Sequence, residues 1–126
     1  MKLYLAGPMT GIEHYNFPAF DAAAAKLREA GFHVFNPAEN DRENGFDAQE
    51  LGLQGHEAAD HGFSIRETLK QDLSWICDHA EGLALLPGWT QSKGATAEIA
   101  LAQALGISVS SVDCWIRAFT QVLVPV

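Results

Sequence analysis

Short apolar segments that alternate with helical segments most constrain how this chain of 126 residues can fold. Residues 2–6, 32–35, 82–87 and 107–112 each have the length and composition of a buried strand, and most of them end at glycine or proline. Strands that are apolar along nearly their whole length and alternate with helices are typical of parallel sheets covered on both faces. The pattern therefore predicts an α/β fold with a doubly wound, Rossmann-like parallel sheet of about four to five strands.

Local signals predict two of the helices between these strands. Asn16 is a candidate N-cap for an alanine-rich helix that ends at Gly31. Ser64, followed three residues later by Glu67, matches a capping box, so a further helix is expected from Ser64 to about His79.

One domain is expected, because a chain of this length can bury a single core but not two. Residues 39–62 are acidic, rich in glycine and without hydrophobic periodicity, which predicts a long loop. The tail, residues 113–126, is apolar enough to pack or to join an interface, and its pattern leaves both helix and strand open.

Charge and composition exclude several classes of protein. Sixteen acidic residues against eight lysines and arginines give a net charge of −8, so the basic footprint of a nucleic-acid-binding protein is missing. No apolar run reaches membrane-spanning length. Cys77 and Cys114 are too few for a disulfide framework, which favours a reducing, cytoplasmic location. Cys77 is expected to be a small buried residue.

Two carboxylates fall on helix faces that are otherwise apolar. Glu98 lies on the apolar stripe of a helix predicted over residues 95–105, and Asp72 lies on that of the preceding helix. The stripes consist of Ala95, Ile99, Ala102 and Leu105 in the one helix and of Ile65, Leu69, Leu73 and Ile76 in the other. A charged residue at the edge of a stripe can also pair with a nearby cation, here Arg66 or Lys93.

Two inward-facing carboxylates suit glycosyl transfer. One attacks the anomeric carbon or stabilises the transition state, and the other, with a pKa raised by burial, protonates the leaving group. Tyr4, in the first strand, is a candidate to orient one carboxylate through its hydroxyl; the alternative is a core tyrosine with a satisfied hydroxyl.

Loops that follow the strands are the place to look for ligand-binding residues, because ligands of doubly wound sheets bind at the carboxyl ends of the strands. The loop before Glu98 contains glycine and runs into a helix N-terminus, which is a natural seat for phosphate. The candidate binding residues are Gly7, Met9, Thr10 and Gly11 in the first loop and Pro87, Gly88, Trp89, Ser92 and Gly94 in the third.

No cofactor or metal is predicted. The first loop, GPMTG, lacks the glycine spacing of a dinucleotide fingerprint and the lysine of a P-loop. The segment HEAADH, residues 56–61, puts its histidines five positions apart, whereas a zinc-protease helix needs four.

The chain, through the ordered motifs that contain Tyr4, Asp72 and Glu98, resembles the nucleoside 2-deoxyribosyltransferase-like superfamily, and most closely its DUF4406 branch. The likeness covers residues 1–112 and rests on YLAGPMTG, N-x-x-x-F, NPAE, the Asp72 helix, LLPGW and S-x-G-x-x-x-E in this order. The resemblance implies that Glu98 is a nucleophile that forms a glycosyl-enzyme intermediate, that Asp72 protonates the departing base, and that Tyr4 holds the nucleophile.

The resemblance also bears on the substrate. Nucleoside-using members have an acidic residue six positions before the nucleophile, where this chain has Ser92, as the 2'-deoxynucleoside 5'-phosphate N-hydrolases do. Those hydrolases have Ser and Arg in the first loop, where this chain has Pro8 and Thr10, so one phosphate contact is absent. The superfamily further implies a homodimer or higher oligomer whose sites are completed by a neighbouring subunit.

The first hypothesis is therefore an N-glycosidase acting on a nucleoside 5'-monophosphate, and a nucleoside deoxyribosyltransferase is its nearest alternative. A nucleotide-binding sensor that has lost efficient chemistry comes from another class, and a purely structural interaction protein is a third. The base, the sugar (ribose or deoxyribose) and the acceptor (water or a second base) all stay open.

Overall fold

The computed structural model describes residues 1–123, with side chains described through residue 119. Its sheet has four strands: β1 (Lys2–Ala6), β2 (His33–Phe35), β3 (Gly82–Leu85) and β4 (Ser108–Ser111). All three strand pairs are parallel, and the order across the sheet is β2-β1-β3-β4. The predicted doubly wound α/β fold is confirmed.

Five α-helices connect or follow these strands in the described part of the chain: α1 (Phe17–Glu29), α2 (Pro37–Glu43), α3 (Ile65–His79), α4 (Lys93–Leu105) and α5 (Val112–Leu123). Short 3-10 turns add Glu13–Asn16, Ala58–His61 and Trp89–Gln91. α1 packs against α5 on one face of the sheet, and α3 packs against α4 on the other. Both sheet faces are covered, which explains why β1 after Lys2 and the whole of β3 are apolar and buried.

The side chains of β1 alternate between the two faces. Leu3 and Leu5 join the core beneath α1, together with residues such as Phe20. Tyr4 and Ala6 join the smaller core beneath α3 and α4. A tyrosine in the central strand therefore points towards the helices that carry Asp72 and Glu98.

The crevice of the sheet lies between β1 and β3, because the chain leaves β1 towards β2 and leaves β3 towards β4. The loops after these two strands touch. The backbone N–H of Leu86 donates to the carbonyl oxygen of Ala6 at 2.9 Å. A Cβ atom on Gly7 would lie 2.7 Å from the Leu86 Cβ, so only glycine allows this close approach.

The predicted loop over residues 39–62 is wrong at its start, because α2 extends through Glu43. The Asn36 side chain accepts from the Ala38 N–H at 3.0 Å, and Pro37 occupies the first helical turn. This short, charged helix has too few apolar residues to show periodicity. The following segment packs on the first loop, where the Gly11 N–H donates to the Gly55 carbonyl oxygen at 2.9 Å.

The start of α1 also differs from the prediction. Asn16 holds the N-cap position, but its side chain makes no cap hydrogen bond and donates to the Pro8 carbonyl oxygen at 2.9 Å. It is the last of three consecutive non-glycine residues with positive φ, after His14 and Tyr15. Such a run is sterically strained, and the Asn16 hydrogen bond joins the first loop to the start of α1.

Both predicted apolar stripes are shorter than expected. Ile65 is 61% exposed and Leu105 is 48% exposed; Ile65 is the first residue of α3 and Leu105 the last of α4. Ser64 does cap α3, accepting from the Glu67 N–H at 3.3 Å. Cys77, predicted to be buried, is exposed and free.

The tail forms a helix as far as residue 123, and the rest of its predicted range lies outside the described residues. The Trp115 indole N–H donates to the Leu83 carbonyl oxygen at 2.7 Å, and Phe119 packs on Phe32. The indole ring also lies against Gly82, where a Cβ would approach it within 2.6 Å. Within residues 1–123, no helix combines the length and apolarity needed to cross a membrane.

Candidate active site

Tyr4 is fully buried, and its hydroxyl donates to Glu98 Oε2 at 2.5 Å. The Phe35 ring stacks on the tyrosine ring with a centroid separation of 5.3 Å, and Trp75 packs against both. Burial, followed by the charges of Glu98 and Asp72, raises the pKa of Tyr4 well above its ordinary value. The hydroxyl is therefore a fixed hydrogen-bond donor, as the sequence hypothesis requires.

Glu98 lies on the buried face of α4, between Ala95 and Ala102. The Ser92 hydroxyl oxygen caps this helix by accepting from the Ala95 N–H at 3.1 Å. Only 5% of Glu98 is exposed, and this burial is the main reason that its pKa rises to about 8. The Tyr4 hydroxyl opposes the rise, and the charge of Asp72 adds to it.

Asp72 is equally buried, on the sheet-facing side of α3. Burial raises the pKa of Asp72 to about 6, and the nearby Tyr4 hydroxyl opposes this rise. Its Oδ1 atom has no hydrogen-bond partner among the described residues. Buried polar atoms without a partner are rare, so this unpaired oxygen marks Asp72 as a candidate functional group.

The alternative prediction, that each carboxylate pairs with Arg66 or Lys93, is wrong. Within the described residues, neither Asp72 nor Glu98 forms a salt bridge with Arg66, Lys93 or any other cation. The two instead act on each other electrostatically. Two buried, mutually repelling carboxyl groups are costly for a fold and typical of functional sites.

The N-terminus of α4 lies one and a half turns before Glu98. The Ser92 side chain is occupied in capping the helix, and the first-turn N–H groups of Lys93 and Gly94 have no partner within the helix. Gly88 adopts a left-handed conformation with a φ of 85°, and a Cβ there would lie 3.3 Å from Pro8. The third loop therefore lies directly against the first.

The other predicted binding residues differ in whether they are exposed or packed against the core. Met9 packs against the core on the α1 side of the sheet, and Trp89 packs against the core that contains Tyr4. Thr10, Gly11 and Pro87 are exposed at the loops that follow β1 and β3. Trp89 and the exposed positions can meet a ligand, whereas Met9 has mainly a packing role.

Sequence reasoning missed a third buried carboxyl group, Asp41, which is 3% exposed. Burial, followed by the charge of Asp72, raises the pKa of Asp41 to about 7, and Arg42 opposes this rise. The signal was present in the helical spacing of Pro37, Ala38 and Asp41, which share the buried face of α2. It could be found only if these residues were recognised as a helix.

No group of three or more histidine, cysteine, aspartate or glutamate side chains in residues 1–119 is arranged to hold a metal ion. A shallow cavity of about 520 Å³ lies at the open edge of the sheet, lined by residues including Lys2, Arg28 and His33. It contains neither Tyr4 nor the buried carboxyl groups, so its size alone does not make it the reaction site.

A family model described as "Domain of unknown function (DUF4406)" matches residues 1–111. The chain belongs to the DUF4406 family. No curated protein matches it. The DUF4406 match includes all four strands together with Tyr4, Asp72 and Glu98, and it stops just before α5. The branch named from the sequence motifs is confirmed, and the wider superfamily stays a prediction.

Replacing Glu98 with glutamine in this DUF4406 protein should change how stability depends on pH. The folded protein binds the proton of the Glu98 carboxyl group more tightly than the unfolded chain does, since folding raises the pKa of Glu98 from 4.5 to about 8. The free energy of unfolding of the unmodified protein should therefore fall as pH rises between these values. Glu98→Gln cannot ionise, so we expect it to be more stable than the unmodified protein at pH 8, by on the order of a few kcal/mol, and similar near pH 5.

Urea unfolding at several pH values measures this effect. Glu29→Gln, an exposed substitution on α1, is the matched control and should follow the unmodified protein throughout. If Glu98→Gln and the unmodified protein lose stability in parallel as pH rises, Glu98 does not have the raised pKa described here.

Proposed function

We propose that the protein is an N-glycosidase that cleaves the N-glycosidic bond of a nucleoside or deoxynucleoside 5'-monophosphate through a glycosyl-enzyme intermediate. One observation carries the proposal: the buried Tyr4–Glu98 hydrogen bond beside Asp72, whose Oδ1 has no partner among the described residues. A retaining glycosidase needs one carboxylate as nucleophile and one carboxylic acid as proton donor, and this pair supplies both groups.

In the first step, a Glu98 carboxylate oxygen attacks the anomeric carbon of the sugar. The bond between this carbon and the base nitrogen breaks, and its electron pair stays with the nitrogen, which takes the proton of Asp72. In the second step, the Asp72 carboxylate accepts a proton from water as the water oxygen attacks the same carbon. The bond between this carbon and the Glu98 oxygen breaks, and its electron pair returns to the Glu98 carboxylate. The sugar phosphate is released, and both carboxyl groups return to their starting states.

Before the first step, one proton has to move from Glu98 to Asp72. In the free site Glu98 has the higher pKa, so a proton shared by the pair resides mainly on Glu98. The proposed roles need that proton on Asp72. A base nitrogen that accepts a hydrogen bond from Asp72 favours its protonated form, and the Tyr4 hydroxyl favours ionised Glu98. Substrate binding thus drives the transfer.

The 5'-phosphate is assigned to the N-terminus of α4. Backbone N–H groups of Lys93 and Gly94 and the positive end of the helix dipole attract an anion there, which a net charge of −8 does not prevent. Pro8 has no N–H group to offer from the first loop. The phosphate is therefore held mainly from the α4 side of the crevice.

Similarity of the ordered motifs to the nucleoside 2-deoxyribosyltransferase-like superfamily supports the same chemistry. The proposal includes its homodimer or higher oligomer, in which a neighbouring subunit completes the site, and a cytoplasmic location, which the free cysteines Cys77 and Cys114 favour. If a second base replaces water in the second step, the same site acts as a deoxyribosyltransferase.

The direct test incubates the protein with ribo- and deoxyribonucleoside 5'-monophosphates and the matching nucleosides, and measures the released base by chromatography. We expect Glu98→Gln to lower turnover by more than about a thousandfold, since it removes the nucleophile. Asp72→Asn should lower it by about 10²–10⁴, because it removes the general acid. Glu29→Gln is the control for expression and folding.

Two results would contradict the proposal. Full activity of Glu98→Gln would exclude Glu98 as the nucleophile. Tight binding of a nucleotide without release of base, unchanged by Glu98→Gln, would identify a nucleotide sensor instead.

Ser92 offers a test of the phosphate assignment that preserves the helix. Aspartate and asparagine both cap helices well, so Ser92→Asp and Ser92→Asn should leave α4 intact. The added negative charge of Ser92→Asp should repel a 5'-phosphate and shift the preference towards nucleosides by about tenfold or more, whereas Ser92→Asn should not. Ratios of kcat/KM for matched nucleotide and nucleoside measure this shift. Equal ratios in the two variants would place the phosphate elsewhere.

A further inference from the structure

A second cavity, of about 260 Å³, lies between the end of α2 and the start of α3. Its volume is below the ~300–1,000 Å³ of pockets for drug-sized ligands, so it suits a single small ring with one polar group. The buried residues that line it are Asp41 and Phe46. Its other lining residues include Asn44, His61, Phe63 and Glu67.

Asp41 is the group in this cavity that lacks a partner. The residue is 3% exposed, and within residues 1–119 its carboxyl group has no hydrogen bond and no salt bridge. The guanidinium of the next residue, Arg42, pairs with Asp21 and lies over the Phe17 ring instead. A buried carboxyl group without a partner is costly, and one that lines a cavity can be satisfied by a ligand.

The charge of the cavity wall favours a cationic ligand. Two carboxyl groups, those of Asp41 and Glu67, line the cavity, and none of its described lining residues is a lysine or an arginine. The net charge of −8 on the whole chain adds to the attraction. A bound cation favours the ionised form of Asp41, whose pKa of about 7 allows ionisation near neutral pH.

Two further features of the wall suit a planar cation attached to a ring. The Asn44 amide nitrogen donates to Gln71 Oε1 and to the Asn40 carbonyl oxygen, both at 2.9 Å. The amide oxygen of Asn44 is left as an acceptor without a partner among the described residues. The Phe46 and Phe63 rings, with centroids 4.8 Å apart, add aromatic surface that attracts both rings and cations.

We propose that this cavity is a binding site for a small organic cation, an amidinium or guanidinium group attached to a ring, with the cation on Asp41 and the ring against Phe46 and Phe63. An amidinium presents two parallel N–H groups to the two oxygens of a carboxylate, and such bidentate, charge-assisted pairs are strong. The Asn44 amide oxygen can accept from a remaining N–H group. Cation binding requires no turnover, so this inference and the proposed glycosidase can each fail without the other.

The test compares benzamidinium with benzamide, a neutral molecule of nearly the same shape. Binding is measured by NMR titration of backbone amide signals at about pH 8, where Asp41 is mainly ionised. We expect benzamidinium to bind about tenfold more tightly or better, and to shift the amide signals of Gly45 and Gly62, which line the cavity.

Two variants of α2 separate Asp41 from the general acidity of the chain. Asp41→Asn keeps the size of the side chain and removes its charge, so the preference for benzamidinium should fall below about threefold. Glu43→Gln removes the same charge from an exposed position that does not line the cavity, and should keep the preference.

Equal binding of the two compounds by the unmodified protein would overturn the inference. Signal shifts confined to residues outside the cavity, or an equal loss of preference in the two variants, would also overturn it. If Asp41→Asn does not fold, the preference of the unmodified protein and its pattern of shifts decide the matter alone.

An arginine side chain of another protein carries the same planar cation, so N-acetylarginine amide is a further probe. We expect it to bind more weakly than benzamidinium, because it has no ring to place against Phe46 and Phe63. Tighter binding of N-acetylarginine amide would overturn the assignment of the cavity to a small ring-bearing molecule.

Discussion

The hydrogen bond from Tyr4 to Glu98 joins residues 94 positions apart in the sequence. It links the central strand β1 to helix α4 across the switch point of the sheet, where the crevice of this fold lies. Two features hold its ends in place. The stacked Phe35 ring fixes the tyrosine, and the Ser92 cap fixes the start of α4. Asp72 enters from α3, which packs on α4, so one contact organises three elements around the same point.

The electrostatics of this centre oppose the stability of the fold. Glu98, Asp72 and Asp41 are buried together in a chain that already has a net charge of −8. Burial raises the pKa of all three groups, and the charge of Asp72 adds to the rise at Glu98 and at Asp41. A fold that only had to be stable would place apolar side chains at these positions. Their burial despite this cost is the physical argument for a ligand that satisfies them.

The sequence predicted the fold and the carboxylate pair for a definite reason. Apolar strands and helix caps are local signals, and Glu98 and Asp72 interrupt helical stripes that are otherwise regular. Asp41 was missed because α2 is short and charged, and its helical period becomes visible only once Asn36 is recognised as its cap. The end residues Ile65 and Leu105 were misassigned because periodicity does not show which helix ends are left uncovered. The strain at His14, Tyr15 and Asn16 has no local sequence signal.

The central claim is that Glu98 becomes covalently attached to the sugar. Rapid acid quenching of the protein with a 5'-monophosphate that it cleaves, followed by proteolysis and mass spectrometry, measures this attachment directly. The account predicts a peptide containing Glu98 that is heavier by one sugar-phosphate residue, formed by the unmodified protein and not by Glu98→Gln. Rapid release of base with no modified peptide at any quench time, and undiminished release by Glu98→Gln, would contradict it.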